Sequence, residues 1–157
     1  MQIASFSEIE QSFLQRVRTM VWCNVATLDA HSRPRSRILH PIWEGATGWI
    51  ITRRRSHKSR HLAQHPYVSL AYVADIVKPV YADCLATWAD DPATKRRVWE
   101  LFRTIEPPVG YDPASIFGSV DDPDCGVLQL TPWRIELYDV PGGSDRFVWR
   151  AERTEPS

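Results

Sequence analysis

A β-barrel with a few helices packed on its outside is the fold class this sequence predicts, and three observations predict it. Segments rich in β-branched and aromatic residues follow one another through short turns, as where EGATG joins RSRILHPIW to WIITR. Helical patterns are few and never alternate regularly with strands, which argues against a parallel doubly wound sheet. The 157 residues contain no internal repeat, low-complexity tract or linker, and one domain of ~100–200 residues is the simplest arrangement. Residues 1–151 therefore read as a single domain, with 152–157 as a disordered, fraying tail.

The elements follow in order. SFSEIEQSFLQRVR opens with a capping-box spacing, Ser5/Glu8 or Ser7/Glu10, and then places Ile9, Phe13, Leu14 and Val17 on one helical face. MVWCNVATLD reads as a strand and DAHSRP as a turn. RSRILHPIW is a second strand and WIITR a third, and their short turn predicts that the two pair. SHKSRHLAQHP is a short helix with Ser56 as N-cap and Pro66 at its end. YVSLAYVA is apolar on both faces, as expected of a buried central strand, and VYADCLATW follows as the fifth strand. DDPATKRRVWELFRTI is a helix capped by Asp91, with Pro92 at its first position and Val98, Leu101 and Phe102 facing inward. Glu106 to Asp124 is long, irregular and rich in Pro and Asp, as functional lids and disordered segments are. GVLQLTPWRIELYDV is a strand interrupted or bulged at Pro132, and GGSD turns it into DRFVWRA.

Composition narrows the function classes. Nineteen Lys+Arg balance nineteen Asp+Glu, which argues against a domain-wide basic field for nucleic acid. Cys23, Cys84 and Cys125 form no CxxC pair, and an odd count without a secretory leader fits a reducing cytoplasm. No apolar run approaches the ~18 residues of a membrane span. All basic residues except Lys58, Lys78 and Lys95 are arginine, the bias of GC-rich coding.

Against this neutral background TRRRSHKSRH, Thr52 to His61, concentrates five cations, two histidines and two serines. The helix beginning at Ser56 offers unpaired N–H groups and a positive dipole end to an anion. Lys58 in its first turn is unfavourable to the helix alone, and makes sense if an anion is present. Arg35 and Arg37 share a face by the period-2 rule, and Thr52 ends the preceding strand with a hydroxyl. Arginine forks, hydroxyls, a helix end and a lysine describe a site for one phosphoryl group. His57, His61 and His65 recur at helical spacing, but no carboxylate accompanies them, so no metal site is expected. The tryptophans read as mostly core, and Trp22 and Trp43 as strand residues without a functional role.

RSRILH, then WIITR, then RSHKSRHLAQHPYVSLAYV resembles the flavin-binding core of the pyridoxamine 5′-phosphate oxidase-like split-barrel flavoproteins. The resemblance spans roughly residues 8 to 140 and is most specific between Arg35 and Val73. It implies a split barrel and a homodimer holding FMN in a groove between subunits. Arg35 and Lys58 would hold the phosphate, with Ser56 and His57 beside them. The backbone from Arg37 through Ile38 to Leu39, following Ser36, would run along the isoalloxazine ring, and Ile51 and Thr52 would meet ribityl or phosphate. His40 falls where the oxidase has a lysine that meets flavin and substrate. The family's Tyr/Arg/Ser set for the substrate phosphate finds no match near TKRRVWELFRT. A flavin-contacting glutamine is absent near Pro79, and the arginine-rich segment expected after DRFVWRA is missing.

These departures point away from pyridoxamine phosphate. The expectation is an FMN-dependent oxidoreductase acting on another small molecule, with no side chain required as acid or base. A deazaflavin-dependent reductase on the same fold is the alternative, favoured by the GC-rich bias, whereas the Ser-His-Lys turn favours FMN. A flavin- or haem-binding protein without turnover is a further possibility. Nucleic acid and membrane are not expected partners.

Overall fold

In the computed structural model, which describes residues 1–139 and 146–152, nine strands form one curled sheet. The strands are β1 (Gln2–Ile3), β2 (Cys23–Leu28), β3 (Pro34–Leu39), β4 (Ile42–Glu44), β5 (Thr47–Arg53), β6 (Tyr67–Tyr72), β7 (Val80–Trp88), β8 (Cys125–Tyr138) and β9 (Arg146–Arg150). The helices are α1 (Glu10–Met20), α2 (His57–Gln64), α3 (Pro92–Thr104) and α4 (Ala114–Phe117). The order across the sheet is β1-β9-β8-β7-β6-β2-β3, with β5 also on β8 and β4 on β5. All pairings are antiparallel except that of β1 with β9.

Two features of β8 curl this sheet. β7 takes one edge of β8, so the other edge must serve β5 along its first half and β9 along its second. Between those halves Cys84 faces Pro132 and Asp83 faces Arg134, leaving Trp133 unopposed. Proline has no N–H to give the ladder, and a bulge absorbs the missing bond while increasing local twist. The interruption expected at Pro132 is this bulge.

RSRILHPIW is not one strand. It breaks at His40-Pro41 into β3 and β4, because proline lacks a donor and disfavours continuation at the residue before it. β3 pairs with β2, and only β4 forms the hairpin with β5. The expected pairing of the second and third strands is therefore corrected: the turn closes β4 on β5, helped by Gly45 at φ +55. β3 and β5 are left unpaired to each other, and the barrel is split there.

The main core fills the barrel, with Phe13, Leu70, Tyr72, Val80, Leu130 and Ile135 fully enclosed. The Trp43 indole N–H donates to the Tyr72 hydroxyl at 2.9 Å, so neither buried polar atom goes unpaired. A second core lies between β5, β8 and α3, where Ile51, Val98, Phe102, Phe117 and Val127 meet. The Glu106–Asp124 segment is more ordered than its composition implies. It contains α4, and it buries Gly110 so tightly that a Cβ there would run into the Ile105 carbonyl oxygen. β6 is central by pairing, yet Tyr67 and Ser69 are exposed while Val68, Leu70 and Tyr72 are buried. Only one of its two faces is covered.

At the N-terminus Ser5 and Glu8 do form a capping box, but it closes a 3-10 turn over Phe6–Glu8 and α1 starts at Glu10. Asp91 accepts from the Thr94 N–H at 2.9 Å and caps α3 as expected. The GGSD turn and most of the 152–157 tail lie outside the described residues.

Candidate cofactor site

The basic turn leaves the end of β5, and α2 folds back towards β2. Lys58 is only 9% exposed although it carries a charge. Its ammonium has one hydrogen-bond partner among the described residues, the Ser56 hydroxyl at 3.2 Å, and no carboxylate salt bridge. Burial and the nearby Arg37 hold its pKa below the ordinary lysine value; Asp124 opposes them weakly and Arg53 adds to the depression. Ser56 takes the N-cap position of α2, but its hydroxyl donates to Arg53 O at 3.0 Å and caps no helical N–H. The His57 and Lys58 N–H groups at the start of α2 thus remain available, while that of Ser59 donates to Ser56 O at 3.1 Å.

Arg37 reaches into the same region from β3. Its guanidinium donates to Thr27 Oγ1 at 2.8 Å, and the Thr27 hydroxyl lies 2.9 Å from Nδ1 of His61 on α2. Thr27 is 2% exposed. Having accepted from Arg37, its single proton can be given to His61, which keeps the Nδ1 lone pair if the imidazole is neutral. Burial first, then Arg37, lowers the His61 pKa and favours that form. Two other cations of the turn, Arg53 and Arg54, are held by local partners. Arg53 pairs with Asp124 at 2.8 Å, while Arg54 lies 4.5 Å over the Trp88 ring and contacts Asp90 at 3.3 Å. Asp124 also accepts from the Arg55 N–H at 2.8 Å, and that bond first, then Arg53, lowers its pKa. Asp124 thereby ties the end of the long loop to the basic turn.

A different environment lies at the split of the barrel. A cavity of about 510 Å³ is lined by Trp22, Ile38, Leu39 and His40 on one side, with Ile50, Ile51, Pro108, Gly110, Tyr111 and Ile116 completing it. None of these side chains carries a fixed charge. His40 is 7% exposed, and its Nε2 is 2.6 Å from Val109 O, so Nε2 carries the proton and donates. Burial lowers the His40 pKa and keeps the ring neutral. Its ring centroid lies 4.8 Å from Trp22, 5.1 Å from Tyr111 and 6.1 Å from Phe102. Burial also pushes the Tyr111 hydroxyl up to about 12.

The residues singled out in the sequence divide between these two environments. Arg37, Ser56, Lys58 and His61 converge, with Thr52 nearby at the end of β5 and 7% exposed. Arg35 stands opposite Thr27 on β2, exposed to solvent, and contributes to the field at Arg37 and His61. Arg37, not Arg35, heads the charges acting on Lys58. Ser36 and His57 are exposed, and His57 Nδ1 lies 3.3 Å from Arg60. Ile38, Leu39, His40 and Ile51 line the cavity. The sequence reading overlooked Trp22, which is 57% exposed at the cavity and is no core residue. It also overlooked Thr27 and Tyr111. Trp43 is core, 3% exposed, as read. A buried threonine opposite Arg35 in a ladder, or a tyrosine in a Pro-rich loop, sends no signal before the chain is folded.

Comparison with known proteins fits this architecture. The model of the pyridoxamine 5′-phosphate oxidase family matches residues 9–138. The chain belongs to that family. No curated protein matches it. Among solved structures, a Clostridium acetobutylicum protein related to general stress protein 26 of Bacillus subtilis superposes with TM-score 0.72 at 16% identity, covering 94% of this chain and 96% of that one. A Nostoc punctiforme protein described as pyridoxamine 5′-phosphate oxidase-related and FMN-binding gives 0.60 at 16% identity, with 96% and 98% covered. A haem-binding protein of Mycobacterium smegmatis gives 0.65 at 16% identity, with 94% of this chain and 59% of that chain covered. At such identities the likeness is one of fold. Membership of the pyridoxamine 5′-phosphate oxidase family accounts for the split barrel.

Proposed function

We propose that this chain is an FMN-binding homodimer that works as an oxidoreductase on a small molecule other than pyridoxamine phosphate. One observation carries the cofactor assignment: Lys58, 9% exposed and without a carboxylate salt bridge among the described residues, beside Arg37 and Arg53 with Asp124 as its one opposing charge. Burying a cation among cations is costly unless an anion completes the site. A phosphate seated on the Lys58 ammonium, the Ser56 turn and the first N–H groups of α2 would do so. The uncharged cavity along β3 and β5 suits the other end of the same molecule, a flat ring system. FMN, when bound, supplies hydride transfer, and the protein contributes orientation and electrostatics.

Other observations support the rest of the proposal. The cations Arg96, Arg97 and Arg103 of α3 are paired with Asp121, Glu44 and Glu100. Among the described residues Lys95 is the α3 cation without an ion pair, and a lone lysine does not make a second phosphate cradle. Tyr67, Leu85 and Trp133, exposed by 61%, 36% and 45%, stand on the outward face of β6, β7 and β8. Tyr67 and Trp133, with Leu28 and Pro34, line one largely apolar depression, and a second copy would cover it.

The test begins with the absorption spectrum of freshly purified protein, which separates flavin, deazaflavin and haem. Titrations with FMN and riboflavin then follow, on the wild type and Lys58→Ala. FMN affinity should fall in the variant while riboflavin affinity holds. Equal losses for both ligands would refute the phosphate site, and a haem spectrum would move the chain towards its mycobacterial neighbour.

A further inference from the structure

Trp22 reaches the cavity through an unusual piece of backbone. Val21, which ends α1, has φ 64 and ψ −60, and the Trp22 N–H donates to Met20 O at 2.7 Å. This is a γ-turn of the rare, strained hand, centred on a β-branched residue that disfavours positive φ. Trp22 is left 57% exposed, its indole against His40. Strain of this kind persists only where surrounding structure enforces it, and it gathers at ligand sites.

The wall facing Trp22 comes from the long loop. Pro108, Gly110, Tyr111 and Ile116 form it, and Ile116 is 52% exposed at its rim. The loop also fixes His40. With Nε2 committed to Val109 O, the lone pair of Nδ1 has no protein partner among the described residues. Among those residues the sealed, unpartnered side-chain N or O is Trp88 Nε1, so His40 Nδ1 keeps some exposure, and the open space that His40 lines is this cavity. The lining is therefore aromatic and aliphatic, with one neutral acceptor. At about 510 Å³ its volume falls in the ~300–1,000 Å³ range of small-molecule sites.

We propose that the wall formed by Trp22, Tyr111 and Ile116 is the substrate subsite, and that it selects an uncharged, flat aromatic molecule whose N–H or O–H donates to His40 Nδ1. This rests on the FMN assignment, which gives the ring of the cofactor the opposite, strand-built wall of Ile38, Leu39, Ile50 and Ile51. A carboxylate or phosphate on the substrate would enter without a cation to meet it, and its desolvation would go uncompensated. A flat ring between Trp22 and Tyr111 gains stacking and apolar burial.

The test uses 2-naphthol, its carboxylate analogue 2-naphthoate and its methyl ether, titrated into FMN-loaded protein and followed by the flavin absorbance bands. The naphthol should bind at least roughly tenfold more tightly than the naphthoate, and several-fold more tightly than the ether. Ile116→Arg, a substitution at an exposed position, should narrow or reverse the preference for naphthol over naphthoate in protein saturated with FMN. Equal binding of naphthol and naphthoate, or an unaltered preference in Ile116→Arg, would overturn the subsite while FMN binding stands. Naphthol that binds only FMN-free protein and is expelled by FMN would overturn it too, showing the cavity to be the seat of the flavin ring alone. Failure of the wild type to take up FMN would refute the cofactor assignment itself, and the subsite with it.

Discussion

Lys58 and His40 are equally hidden, 9% and 7% exposed, yet burial leaves them in opposite conditions. His40 can give up its charge, and its remaining N–H has a carbonyl to donate to. Lys58 sits beside Arg37 and Arg53 with a single hydroxyl as hydrogen-bond partner among the described residues, and Asp124 only partly offsets them. The cavity end of the site is complete as it stands, whereas the cradle end is complete only with an anion. Two such ends, joined by the strands β3 and β5, match one ligand that is anionic at one end and flat and apolar at the other.

The sharpest way to break this contrast is Lys58→Ala. It removes a charge-assisted bond worth ~1.5–3 kcal/mol, so FMN affinity should fall roughly ten- to a hundredfold. Riboflavin titration supplies the control, and a parallel loss there would place the lysine at the ring or in folding.

Next in size are the two arginines of β3. Arg37 is half-buried and bonded to Thr27, whereas Arg35 is exposed. Arg37→Ala should weaken FMN by about tenfold; Arg35→Ala should do less, because solvent screens an exposed charge. If Arg35→Ala proves the more damaging, the phosphate lies further towards the start of β3 than Lys58 indicates.

The cavity end answers to pH. The folded-state pKa of His40 lies below its ordinary value of 6.5. Its contribution to stability is therefore complete above pH 6.5 and is lost as the pH falls through the folded pKa. His61, also lowered, acts in the same direction. Thermal midpoints should decline on acidification below pH 6.5, and His40→Gln should decline less steeply than the wild type. Parallel curves would mean that His40 is not held neutral by its surroundings.

The smallest effect expected is on nucleic acid. Duplex DNA should bind the basic turn weakly at low salt and hardly at all at physiological salt, because many released counterions set its affinity. FMN, with one phosphate and a salt-insensitive ring, should lose far less and should displace residual DNA. DNA binding that survives physiological salt and saturating FMN would reassign the cradle.

The sequence by itself determined the elements and the cradle's ingredients. Proline and glycine positions, capping residues and hydrophobic period are local properties, so Asp91-Pro92, the helix opening at Ser56 and the interruption at Pro132 could be read without a fold. Arg37, Ser56 and Lys58 were visible because their spacing is short and their charge is out of proportion to a neutral chain. Tertiary structure decided the rest. A hairpin turn fixes which segments are neighbours in sequence, but His40-Pro41 redirected the chain, so β3 paired with β2 and not with β5. That single break brings Thr27 under Arg37 and opens the split in which Trp22, His40 and Tyr111 meet. Those three residues are far apart along the chain and unremarkable in composition. Their proximity depends on long-range pairing and on the burial of Gly110 and Phe117, which no local pattern encodes.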